Sequence, residues 1–215
     1  MSLWRIREYA LDHIVAVVLL FYALFLSFLL GIFTYYVTHL PKELPQPVHT
    51  IRPAVPVDHV AVHWIRKYNP AISEADAAEM YRYIEATIER YKADPTYQQG
   101  AALKITPKLF LALILRESSA RWQCISDHGA IGLTQVMPLH LETLHKAGVI
   151  ETPEVEELLD TEANIRAGVH VLMMYAKGVD SITKALSRYN GGYKREKAGR
   201  GYARAVLKLY EEMEG

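Results

Sequence analysis

The sequence predicts an all-α domain preceded by a single transmembrane helix and a proline-rich spacer. Three observations lead there: an uncharged run over residues 14–38, five prolines within residues 41–58, and repeated helix start and stop signals beyond them. No alternating run of β-branched residues lies between turn signals, so no sheet is expected. With 215 residues and 51% apolar composition, the chain can bury one ordinary core.

Residues 1–13 carry Arg5 and Arg7, and only Lys42 lies near the far end of the apolar run. The positive-inside bias therefore makes 1–13 a cytoplasmic N-terminus. Residues 14–38 as a helix reach roughly 37 Å, against a hydrocarbon core of about 30 Å. The run is longer than the apolar part of a signal peptide, about 7 to 15 residues. Its exit, "YYVTHLPKELP", shows no small-residue cleavage pattern. An uncleaved, single-pass anchor in the cytoplasmic (inner) membrane is expected, with Tyr35 and Tyr36 at the outer interface and the remaining chain on the extracytoplasmic, periplasmic side. Residues 39–58 form the spacer. Each proline lacks a backbone donor and disfavours helix before it, and an extended spacer would reach roughly 55 Å at about 3.1 Å per residue.

Residues 59–215 form the globular domain. Ser73 and Asp76 stand in capping-box spacing, and Tyr81, Ile84, Ile88 and Tyr91 recur on one helical face. Thr106 followed by Pro107 starts a helix whose residues 109–115 are apolar all round, as burial on several sides requires. Thr152 with Pro153 repeats that start signal. Asp160 is expected to cap a helix with Ile165, Val169, Leu172 and Ala176 on a face, and Asp180 to cap another that stops at "NGG", residues 190–192.

Charge and cysteine content exclude several functions. Lys and Arg total 24, Asp and Glu total 24, and no block of like charge occurs, so no nucleic-acid partner is expected. A single cysteine, Cys124, excludes an intramolecular disulfide and multi-thiolate metal sites. Cys124 with His128 lacks any readable activating environment for thiol chemistry. His59 and His63 are four apart, but no third ligand is evident and the HExxH arrangement is absent, so they read as a surface pair. No metal or cofactor is implied.

Glu117 is the residue that asks for a function. It follows the buried run and precedes "SSARWQ", where the helix is expected to end, so its carboxylate lies near the negative helix terminus and partly out of water. Both effects favour the protonated form, and a neutral carboxylic acid near physiological pH can donate a proton to a leaving group. An ordinary terminal-turn glutamate is the plain alternative. Pairing with Arg116 is disfavoured because adjacent helical positions diverge.

The following residues resemble the soluble lytic transglycosylase family, relatives of goose-type lysozyme. That family carries Glu-Ser, then Gly-Ala-x-Gly-Leu-Met-Gln-x-Met-Pro, then Tyr-Asn-Ala-Gly. Here Glu117-Ser118 is followed by "GAIGLTQVMP", residues 129–138, by "NIRAG", residues 164–168, and by "YNGG", residues 189–192, with "YARAVLKLY" resembling the closing helix. The resemblance covers about residues 103–210 and implies a lysozyme-like helical fold. It also implies that Ser126, Gln135, Met137, Tyr189 and Asn190 line a substrate cleft around a catalytic Glu117. Gly129 and Gly132 would permit tight turns or close approach of a sugar. Thr134 stands where the family usually has Met, Gly191 where it has Ala, and Asp127 and His128 where it often has Pro and a small residue, which bears on glycan preference.

The resemblance further implies cleavage of peptidoglycan glycan strands at the bond from N-acetylmuramic acid to N-acetylglucosamine, closing a 1,6-anhydro ring without water. Two other readings stay open: an inverting muramidase with Asp127 as base, and a nonenzymatic peptidoglycan-binding module. The membrane, through residues 14–38, is an expected partner, and an envelope-spanning secretion or conjugation machine is compatible with this architecture.

Overall fold

The computed structural model describes residues 22, 25–27, 58–94 and 103–215. The chain divides into two compact units, Met1–Pro53 and Ala54–Gly215. In the first unit the described residues are helical and exposed. The expected span 14–38 falls outside the described residues apart from these four, and the spacer 39–58 does so apart from Asp58. Among the described residues no helix is long and apolar enough to cross a membrane.

The second unit is helical, as its sequence signals require. Helix α1 (His59–Tyr68) starts at Asp58, whose carboxylate accepts from the N–H groups of Val60 and Ala61 at 2.9 and 3.1 Å. The last residue of the expected spacer is thus a helix cap. Helix α2 (Glu74–Ala93) starts at Ser73, which accepts from the Asp76 N–H at 3.0 Å while its hydroxyl donates to the Asp76 carboxylate. Tyr81, Ile84, Ile88 and Tyr91 are all buried on its inner face. Helix α3 (Pro107–Ser118) is capped by Thr106, and residues 109–115 are at most 2% exposed, so the helix runs through the core. It packs against α1, α2 and α7 (Arg200–Glu214).

A short α4 (Leu141–Lys146) follows a 3-10 turn at Pro138–His140. The expected helix start at Thr152 and Pro153 does not occur. Glu157 draws the segment back on itself, accepting from the Glu151 N–H at 3.0 Å and the Thr152 hydroxyl at 3.4 Å, and only a 3-10 stretch, Val155–Leu159, follows. Helix α5 (Thr161–Ala176) is capped by Asp160 as expected. Helix α6 (Ile182–Gly191) is capped by Ser181 rather than Asp180, whose carboxylate instead pairs with Lys184 at 2.9 Å. It stops at Gly192, where φ is +68°.

Helix α5 packs on α2 and α6, and α6 packs on α7. A smaller apolar cluster, including Ile131, Val136, Leu144, Leu158 and Val171, lies apart from the main core. Among the described residues the β pairing is limited to isolated bridges, Ile125 with Ile131 and Ile131 with Val136. At the opposite end of α3 from Glu117, the Lys108 ammonium lies 3.7 Å from Asp58 and 3.2 Å from Glu214, drawing the start of α1 and the end of α7 to one point.

Candidate active site

Glu117 is the next-to-last residue of α3, and the helix closes on Ser119 in the left-handed region at φ +54°. Burial pushes the Glu117 carboxyl up to about 7, against opposing contributions from the Tyr202 hydroxyl and the Arg116 charge. Its position near the negative helix terminus acts in the same sense as burial. Arg116 is exposed, and no ion pair joins it to Glu117 among the described residues.

Two phenols from different helices lie within electrostatic reach of the carboxyl. Tyr189 of α6 donates its hydroxyl to the Thr134 carbonyl at 2.7 Å. Burial raises its ionisation well above the ordinary value, and the Glu117 charge adds to that. Tyr202 of α7 is likewise raised, first by burial and then by Glu117. Its hydroxyl oxygen is buried and sits beside the Glu117 carboxyl, outside the geometry of a formed hydrogen bond, and has no other partner among the described residues. An ionised Glu117 would complete that bond, which is why the phenol opposes the upward shift.

The loop over residues 124–137 is braced from within. Cys124 accepts at its carbonyl from the Gly132 N–H at 2.7 Å and from Gln135 Nε2 at 3.1 Å. Gln135, itself at φ +51°, also donates Nε2 to the Gly132 carbonyl. The Ser126 hydroxyl oxygen accepts from the Ala130 N–H at 3.0 Å. Ser126 and Gln135, expected to bind substrate, therefore hold the loop's shape, leaving the Ser126 proton and the Gln135 carbonyl oxygen for a ligand.

Asn164 of α5 clips this loop to the domain. Its Nδ2 donates to the Ile131 and Leu158 carbonyls at 3.0 and 2.7 Å, and its Oδ1 accepts from the Thr134 N–H and hydroxyl at 2.9 and 2.7 Å. A side chain at Gly132 would overlap the Asn164 amide, so that glycine serves the clip rather than approach of a sugar. Gly129, at φ +79°, faces open space and serves the turn.

The structure sets Tyr189 within electrostatic reach of Glu117 and places Ser126 and Gln135 on one braced loop. Met137 is partly buried just before the 3-10 turn, and Asn190 is exposed near the end of α6; no interaction joins either to Glu117 among the described residues. Asp127 is exposed on the loop and makes no hydrogen bond or ion pair with a described residue. His59 and His63 are exposed on α1, and no group of three or more potential metal ligands occurs among the described residues. Sequence reasoning passed over Tyr202, although its four-residue spacing from Val206 places it on the inward side of α7. It also passed over the role of Asn164, a polar residue on an otherwise apolar helix. A cavity of about 590 Å³ between the end of α2 and the segment after α4 does not include Glu117; it sets Arg90 and Arg166 against Asp94 and Glu151.

A family profile described as the transglycosylase SLT domain matches residues 94–209, just over half of the chain. The chain belongs to this family. The matched stretch of the SLT domain contains Glu117, the braced loop, Asn164, Tyr189 and Tyr202 alike. Among solved structures, the chain is similar to the 70 kDa soluble lytic transglycosylase SLT70 from Escherichia coli, at 22% identity and a TM-score of 0.42. That alignment covers 71% of this chain and 26% of that one, so it spans about a quarter of the length of SLT70. No curated protein matches the chain significantly.

Proposed function

We propose that this SLT protein is a membrane-anchored peptidoglycan lytic transglycosylase. It cleaves the β-1,4 bond between N-acetylmuramic acid and N-acetylglucosamine and leaves 1,6-anhydromuramic ends. The observation that carries this reading is the buried Glu117 carboxyl, beside the Tyr202 hydroxyl and holding its proton to about pH 7. In the first step Glu117 gives that proton to the glycosidic oxygen as the bond to C1 breaks, and the substrate's own 2-acetamido oxygen supports the electron-poor carbon. In the second, the Glu117 carboxylate takes the proton of the C6 hydroxyl while its oxygen bonds to C1. One carboxyl acts first as acid and then as base. A carboxyl that titrates near neutrality suits both steps.

A hydrolase of the inverting type needs a second carboxylate to activate water. Asp127, the candidate for that role, stands exposed on the loop with no group orienting it among the described residues. The uncharged run at residues 14–38 supports an anchor in the cytoplasmic membrane with the SLT domain on its outer side, an arrangement suited to opening local gaps for an envelope-spanning secretion or conjugation machine. Mass spectrometry of fragments released from purified peptidoglycan tests the reading. Anhydro ends are expected; reducing ends would establish a muramidase, and no release a binding module.

A further inference from the structure

Five residues beyond Glu117 the chain presents Trp122, 38% exposed, on a groove of about 450 Å³. The volume falls within the roughly 300 to 1,000 Å³ of ligand-holding clefts. The groove runs between the turn joining α1 to α2, with Asn69 and Ile72, and the segment after α3, with Arg121, Trp122, Gln123 and Cys124. Its walls are fixed: Asn69 Nδ2 donates to the Ala120 carbonyl at 3.0 Å, and Arg121 Nε to the Ser118 carbonyl at 3.1 Å. The far end of the same segment, at Cys124, is held by Gly132 and Gln135. The groove is therefore built onto the end of the helix that carries Glu117 and onto the braced loop.

What stands unused in it is chemically particular. The indole N–H of Trp122, the terminal nitrogens of Arg121 and the amide of Gln123 have no partner among the described residues. An aromatic face set among planar polar groups matches a pyranose ring, whose C–H face packs on the indole while its hydroxyl and acetamido groups meet donors at the edge. Among the described residues Arg121 is the sole charged one lining the groove, which suits a ligand that is neutral or weakly anionic along its length.

We propose that this groove holds a sugar ring of the same glycan strand, beyond the residues enclosing Glu117, with Trp122 as its platform. The occupant follows from the Proposed function, on which this inference rests, and from the shared wall between groove and loop. Such a platform would favour long strands over short ones.

The test uses the full-length protein in detergent with Glu117→Gln in the background, so that binding is read without turnover. The probe is the β-1,4-linked hexamer of N-acetylglucosamine, measured by titration calorimetry. Adding Trp122→Ala is expected to weaken binding at least tenfold, and Trp122→Phe to restore it to within about threefold of the parent. Should Trp122→Ala fail to fold, Gln123→Ala and Trp122→Phe carry the comparison, with Gln123→Ala expected to lose several-fold. Unchanged hexamer affinity in a folded Trp122→Ala protein overturns the platform. So does equal loss for a stem peptide lacking sugar, which would make the groove a peptide site. The product analysis is separate: anhydro ends with unchanged hexamer affinity remove the platform alone, whereas reducing ends remove the reaction and leave the platform to its own result.

Discussion

At Glu117 the folded protein holds a proton that an unfolded chain releases near pH 4.5. Between that value and about 7 the native state binds more protons, so stability contributed at this residue falls as pH rises through that window. Glu117→Gln should therefore be more stable than the parent at pH 8, by on the order of 3 kcal/mol at most. The difference should vanish toward pH 4.5, and cleavage should be abolished. Urea denaturation of both proteins at several pH values checks this, and a gap independent of pH would remove the buried-acid argument. Tyr202→Phe takes away the hydroxyl that favours the ionised carboxylate. The alkaline limb of the activity profile should then move to higher pH, whereas a merely structural loss would lower activity without moving it. Asp127→Asn tests the single-carboxyl scheme. A required base contributes about 10² to 10⁴-fold, so a change below tenfold is expected from kinetics on isolated peptidoglycan.

Between helices, the clip from Asn164 to the 124–137 loop decides whether Tyr189 finds its carbonyl partner at Thr134. Asn164→Ala would leave several buried groups unpaired at roughly 1–3 kcal/mol each. A loss of about 3 kcal/mol in thermal or chemical unfolding is expected, with activity reduced further than stability alone explains. A loss below 1 kcal/mol would show that the loop keeps its shape without the clip. The sequence made α2, α3 and α5 legible because each joins a side-chain cap to a long apolar face, and both signals are local. Thr152 misled because capping competes with longer-range partners, and Glu157 took its hydroxyl. Glu117 and Tyr189 were readable through short motifs. Tyr202 was not, since its role depends on α7 crossing α3, a contact between positions far apart in sequence. Gln135 was legible as a polar group at the site, but its internal bonds follow from a left-handed backbone that residue identity does not announce.

For the whole molecule, the proposed anchor over residues 14–38 predicts that the protein stays with cytoplasmic membranes after a high-salt wash and leaves them in detergent. Release by salt, or a mature chain beginning after residue 38, would rule the anchor out. The Lys108 junction bears on how such a protein can be held. Asp58 and the end of α7 meet at the second residue of α3, whereas Glu117 lies nine residues further along, roughly 14 Å at 1.5 Å per residue. A leash attached at residue 58 would thus pull on the end of α3 opposite its acid. The same closeness of positions 58 and 214 means that a short bridge between them could be exchanged for a break elsewhere, so a circularly permuted domain opened at an exposed segment such as 152–154 should fold and keep its acid in place.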